Sequence, residues 1–120
     1  MAKFGVCLIA LLGVLLMPAA SATADPFEPS PHACGTNPNN AHVWVSYTSA
    51  RYTHCEDALM AIHHYIANSS CTGGKQYCTL THIHWGCNTR ISHVGSRVSH
   101  HAVCTRIGHA AEAHFSWHRR

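Results

Sequence analysis

The stretch THCEDALMAIHHYIANSSCTGG, residues 53–74, decides the fold. Thr53-His54-Cys55-Glu56 has the form of a capping box. The Thr53 hydroxyl can accept from the backbone of Glu56, and Glu56 can reach back. Glu56 and Asp57 suit the positive end of a helix dipole. Cys55, Leu59, Ile62 and Ile66 recur at three- and four-residue steps, which puts them on one stripe facing a core. Gly73-Gly74 lies just beyond the end. This predicts an amphipathic helix starting at Thr53, with Cys55 placed to pin it to the rest of the fold.

Outward from that helix the period changes. His42 to Thr48 alternates, Val43, Val45 and Tyr47 against Trp44, Ser46 and Thr48, which reads as a strand. Gln76 to Trp85 alternates again: Tyr77, Thr79, Thr81, Ile83 and Trp85 against Cys78, Leu80, His82 and His84. Gly86-Cys87-Asn88 can turn the chain, and Thr89 to Val94 can return as a second strand. From about His100 to Trp117 a second helix is expected, with Cys104, Ile107, Ala111 and Phe115 as its stripe. Gly108 inside it costs about 1 kcal/mol relative to Ala. The order strand, helix, hairpin, helix predicts an α+β fold: a small antiparallel sheet packed against two helices.

The N-terminus has another character. Lys3 precedes an apolar run from Phe4 to Met17, Pro18 ends it, and Ala20-Ser21-Ala22 and Ala22-Thr23-Ala24 are small-x-small cleavage sites. That order is a secretory signal peptide over residues 1–24. The run is shorter than the roughly 20 residues a membrane span needs. Residues 25–40, with Pro26, Pro29, Pro31 and Pro38, read as an extended Pro/Asn-rich arm. Residues 41–120 read as one disulfide-rich domain.

Cleavage would remove Cys7 and leave Cys34, Cys55, Cys71, Cys78, Cys87 and Cys104. An even count in a short exported chain predicts three disulfides, with fifteen pairings open. No two are spaced C-x-x-C, which argues against a zinc knuckle or a thioredoxin-like site. Asn68-Ser69-Ser70 is an N-glycosylation acceptor, which in a eukaryotic source places Asn68 on the surface.

Thirteen histidines in 120 residues have to enter any account of function. One use is metal binding. His82-x-His84 on a strand would point both rings to one face, roughly 7 Å apart, a separation that suits zinc or copper. His114 and His118, one turn apart on a helix, would act likewise. His63-His64 and His100-His101 are adjacent pairs that diverge on a helix and chelate poorly. No HExxH occurs, so a zincin-type protease is not indicated.

The other use is a response to pH. Eight Lys and Arg against five Asp and Glu give a formal net charge of +3 with neutral His. Exposed imidazoles titrate near about 6.5, so an acidic medium would make this small chain strongly cationic. It would then be drawn to anionic membranes or wall polymers. The arginines are dispersed, and no dedicated nucleic-acid module is legible.

An enzyme reading has little to stand on. His82 or His84 with Arg90 would be one conceivable set for a small ribonuclease. No G-x-S-x-G occurs, no free thiol would remain, and Glu56 and Asp57 are better explained by the helix start.

Thr53-His54-Cys55-Glu56-Asp57-Ala58-Leu59, followed by a cysteine-bearing hairpin and an expected terminal helix with Cys104, resembles small secreted cysteine-rich effectors and killer toxins of fungi. The likeness lies in order and spacing over about Cys34 to Phe115. It implies an α/β sandwich stapled by disulfides that acts on another organism or its wall. The resulting expectation is a secreted, non-enzymatic binding protein with no membrane anchor and no required cofactor. Its partner would be an extracellular protein, a wall polymer or an anionic membrane. Zinc or copper binding is the first alternative and ribonuclease activity the second.

Overall fold

The computed structural model describes residues 30–120. The expected signal peptide, Cys7 and the first residues of the expected arm lie outside that range. Strands β1 (His32–Ala33) and β2 (Val43–Arg51) precede helix α1 (Cys55–Ala67) and the short helix α2 (Ser69–Thr72). Four strands follow: β3 (Tyr77–Leu80), β4 (Trp85–Val94), β5 (Arg97–Arg106) and β6 (Glu112–Arg119). They form one six-stranded sheet in the order β1-β2-β6-β5-β4-β3, with every pair antiparallel.

The α+β class and the antiparallel sheet are as expected, but the sheet is larger. The expected helix over His100–Trp117 is instead β5, a turn and β6. Val98, His100, Ala102 and Cys104 alternate toward α1, as do Ala113, Phe115 and Trp117 on β6. All but Val98 are buried. The three- and four-residue spacing of Cys104, Ile107, Ala111 and Phe115 was accidental, because Ile107 lies exposed in the turn. Gly108 sits there at φ 81°, where a side chain is strained. The second helix is α2, four residues long, and Asn68 starts it by accepting a hydrogen bond from the Ser70 backbone N–H (2.9 Å).

The α1 helix forms where its stripe predicts, with Ala58, Ala61, Ile62, Tyr65 and Ile66 buried. Its N-cap is His54, which makes no side-chain capping bond. The capping box is not made: Thr53 is buried and its hydroxyl reaches the Asp57 carboxylate (3.5 Å) instead.

β2 also differs from simple alternation. A bulge between Val45 and Tyr47 shifts the register, so Thr48 and Ala50 follow Val43 and Val45 into the core. Tyr47 is turned out. Along the outer edge of β2 the arm substitutes for a longer strand. Asn39 Oδ1 accepts from the Val45 N–H (2.6 Å) and Asn40 Oδ1 from the Val43 N–H (2.8 Å). The Thr48 hydroxyl donates to the Thr36 carbonyl (2.7 Å). Polar backbone that would otherwise invite another strand is thereby satisfied. The opposite edge is covered less completely. β3 pairs with β4 only as far as Asn88, and the Thr89 N–H then donates to the Gln76 carbonyl. From Arg90 to Val94 the outer edge of β4 pairs with no strand among the described residues.

Three disulfides hold the layers: Cys34–Cys55, Cys71–Cys78 and Cys87–Cys104. The first ties the arm to the start of α1, the second ties α2 to β3, and the third joins directly opposed residues of β4 and β5. Between helix and sheet lies an aromatic centre. The rings of Tyr65 and Phe115 meet edge to face at 4.8 Å, and Tyr65 also packs against Trp117. The Trp117 Nε1–H donates to the Tyr65 hydroxyl (3.2 Å), which shares a 2.6 Å hydrogen bond with Thr89 Oγ1.

Candidate functional site

Because α1 covers one face of the sheet, the residues that alternate away from it form an open face. Register places them in rows. Trp44 lies opposite His118 on β2 and β6, and Ser49 lies opposite His114. Arg90, His101, Ser116 and Tyr47 follow one another across β4, β5, β6 and β2, as do Asn88, Val103 and His114 across three of those strands. Three imidazoles therefore project from neighbouring strands. His114 and His118 are separated by four residues of strand, roughly 13 Å. His101 stands beside Ser116, between them.

Each imidazole has a defined neighbour. His101 Nδ1 is hydrogen-bonded to Ser116 Oγ (2.7 Å). His114 Nε2 is 2.8 Å from Glu112 Oε1, the one ion pair among the described residues once that ring is protonated. His118 lies beside Trp44, with ring centroids 6.4 Å apart. The Arg120 guanidinium sits over the other part of that cluster, 4.9 Å from the centre of the Trp44 ring, a placement that holds both cation and ring at the surface.

Charge is divided between the two layers. Glu56 and Asp57 stand in the first turn of α1, and Asp25 and Glu28 lie outside the described residues. Glu112 is thus the only carboxylate on the strands, with Arg51 directly opposite it on β2. The open face carries Arg90, Arg97 and Arg120 with three histidines.

His100 belongs to the other face. It is buried, stacked on Trp117 with centroids 3.9 Å apart and planes within 9°. Burial, then the charge of Arg119, then His101 hold its imidazole below the ordinary value. Burial likewise pushes the Tyr65 phenol up, against the opposing effect of its bonds to Thr89 and Trp117.

The sequence-derived metal pairs land elsewhere than the spacing implied. His82 and His84 are not on a strand. They are exposed in the turn joining β3 to β4, and His84 has φ 59°. The alternation in the sequence continues across residues that form a turn, and that turn reverses the faces, so Trp85 re-enters on the buried face with Leu80. His114 and His118 share a strand face rather than a helical turn, and His114 is engaged by Glu112. Among the described residues no three of His, Cys, Asp and Glu converge as a metal site. The set of His82 or His84 with Arg90 is also dispersed, because five residues of β4, roughly 17 Å, separate Trp85 from Arg90. His101, Trp44 and Glu112 were not singled out from sequence. The signal that finds them is the strict alternation of β5 and β6, which puts His101, His114 and His118 on the side opposite Phe115 and Trp117. Asn68 is half-buried, with its side-chain oxygen engaged at the start of α2.

No protein-family model, no curated protein and no solved structure matches this chain.

Proposed function

We propose that this is a small secreted, toxin-like or effector-like protein that acts by binding outside the cell, and that its open sheet face holds an anionic surface more tightly as pH falls. The observation that supports this best is the gathering of His101, His114 and His118 with Arg90, Arg97, Arg120 and Trp44 on a face with a single carboxylate. At neutral pH the fixed arginines supply a modest attraction. On acidification three like charges appear within one patch, with only Glu112 to offset them. A polyanion relieves the repulsion they create, so binding and protonation favour each other. Trp44 and Tyr47 add flat contact area beside the charge. Three disulfides keep the platform rigid in an oxidising medium.

The test is retention on phosphatidylglycerol vesicles and on soluble polygalacturonate, compared at pH 7.5 and 5. Affinity for at least one is expected to rise by about tenfold or more, and the rise should shrink severalfold in a His101→Gln/His118→Gln double variant. Affinity that stays flat for both across this window would remove the proposal.

A further inference from the structure

The open face has a second half, and it is chemically unlike the histidine half. Between β3, β4 and β5 lies a shallow groove of about 370 Å³ whose lining includes no charged side chain. Register sets Tyr77 opposite Asn88, which is opposite Val103, and sets Thr79 opposite Gly86, which is opposite Thr105. Gly86 forms the floor. A Cβ placed on it would meet nothing within 4 Å, so the space above it is open. Tyr77 forms one wall, and 65% of its surface is exposed although it is aromatic. Asn88 is part of the lining, and its Oδ1 is buried without a hydrogen-bond partner.

We propose that this groove is a binding site for a neutral pyranose oligosaccharide. A pyranose ring has an apolar C–H face and a rim of hydroxyls that both donate and accept. The first fits against an exposed tyrosine ring. The second fits the Thr79 and Thr105 hydroxyls, which can act in either sense. The Asn88 oxygen has no internal partner to give up, so a rotation of this side chain into the groove lets its amide meet a sugar hydroxyl or an acetamido group. Val103, half-buried beside Asn88, offers an apolar seat for an acetyl methyl. The volume suits one or two sugar rings, at the small end of ligand sites. Without a charged group the site does not attract ions. Its occupation should therefore be indifferent to pH and salt, unlike that of the histidine half. The inference does not rest on the polyanion reading, although a wall polymer with neutral and acidic sugars could use both halves at once.

The experiment is an NMR titration of the disulfide-intact protein with chitotriose, cellotriose and laminaritriose, at pH 7.5 and 5. At least one of the three, at about 10 mM or below, should shift the amide signals of Tyr77, Asn88 and Thr105. The affinity should agree within about twofold between the two pH values and in the His101→Gln/His118→Gln variant, and should fall by about tenfold or more in Tyr77→Ala and in Gly86→Val. The Cβ of Gly86→Val meets no atom within 4 Å, so its methyl groups enter the groove. Asn88→Ala should weaken binding while leaving the urea midpoint unchanged or higher, since it removes an unsatisfied buried acceptor and no internal bond. No shift with any of the three sugars, or shifts that survive Gly86→Val, would overturn the proposal.

Discussion

Tyr65 joins helix to sheet through a single oxygen. Its hydroxyl bonds with Thr89 on β4 and accepts from Trp117 on β6, while its ring packs edge to face on Phe115. Tyr65→Phe keeps the ring and leaves the Trp117 N–H and the Thr89 hydroxyl without that partner. We expect a loss of about 1–3 kcal/mol in urea unfolding, with little change in the folded circular dichroism. His100 gives a prediction in pH. Its native value is lowered, so as pH falls the unfolded chain takes up a proton first, near about 6.5. The native state therefore loses stability from that point down to the depressed native value, and loses no more from this group below it. Unfolding free energies at pH 7, 6 and 5 should fall less steeply in His100→Gln than in the parent, from a lower starting point because the stack on Trp117 is gone. An unchanged slope would assign the acid sensitivity to other groups.

At the level of elements, sequence and structure agree where one period is unambiguous and part where two compete. The stripe of α1 was legible because thirteen residues carry it without interruption. The segment after His100 was not. Its cysteine and apolar residues fit a helical step by coincidence, and the alternation of Ala113, Phe115 and Trp117 is short. Gly108 separates the two readings by sign. In a helix, Gly108→Ala would stabilise by about 1 kcal/mol. At φ 81° in the turn between β5 and β6 it should destabilise by a comparable amount, read as a lower melting midpoint. The open face was illegible for a related reason, since a bulge in β2 and a turn before Trp85 each reverse which residues point outward. The disulfides separate in the same way. Cys34–Cys55 closes 21 residues and Cys71–Cys78 closes 7. In the chain-entropy account, Ser replacement of the longer-loop pair should cost about 1 kcal/mol more than that of the shorter. Comparing the two double variants by urea unfolding checks the order.

For the molecule as a whole, the two faces of one sheet differ in character. One is sealed by α1 and carries the stability, together with all three disulfides. The other is left uncovered, cationic and aromatic at one side, neutral and grooved at the other. A fold of this size has no spare layer in which to bury a site, so the recognition proposed above would be spread over an exposed plane. Salt should expose the division. Polyanion binding at pH 5 should weaken steadily as sodium chloride rises through the range where the screening length drops below about 10 Å, while sugar titrations should not respond. The bare rim of β4 between Arg90 and Val94 has a cost of its own. Two molecules meeting along it would splice their sheets into a continuous ribbon, with Ile91 exposed on one face and Val94 on the other. Arg90 puts a fixed charge on that rim, and the net positive charge that acid adds to a histidine-rich chain should hold such neighbours apart. Concentrated material should therefore stay clear in acid and scatter light on standing above neutrality, so that the acidity proposed to favour binding would also keep the protein dispersed.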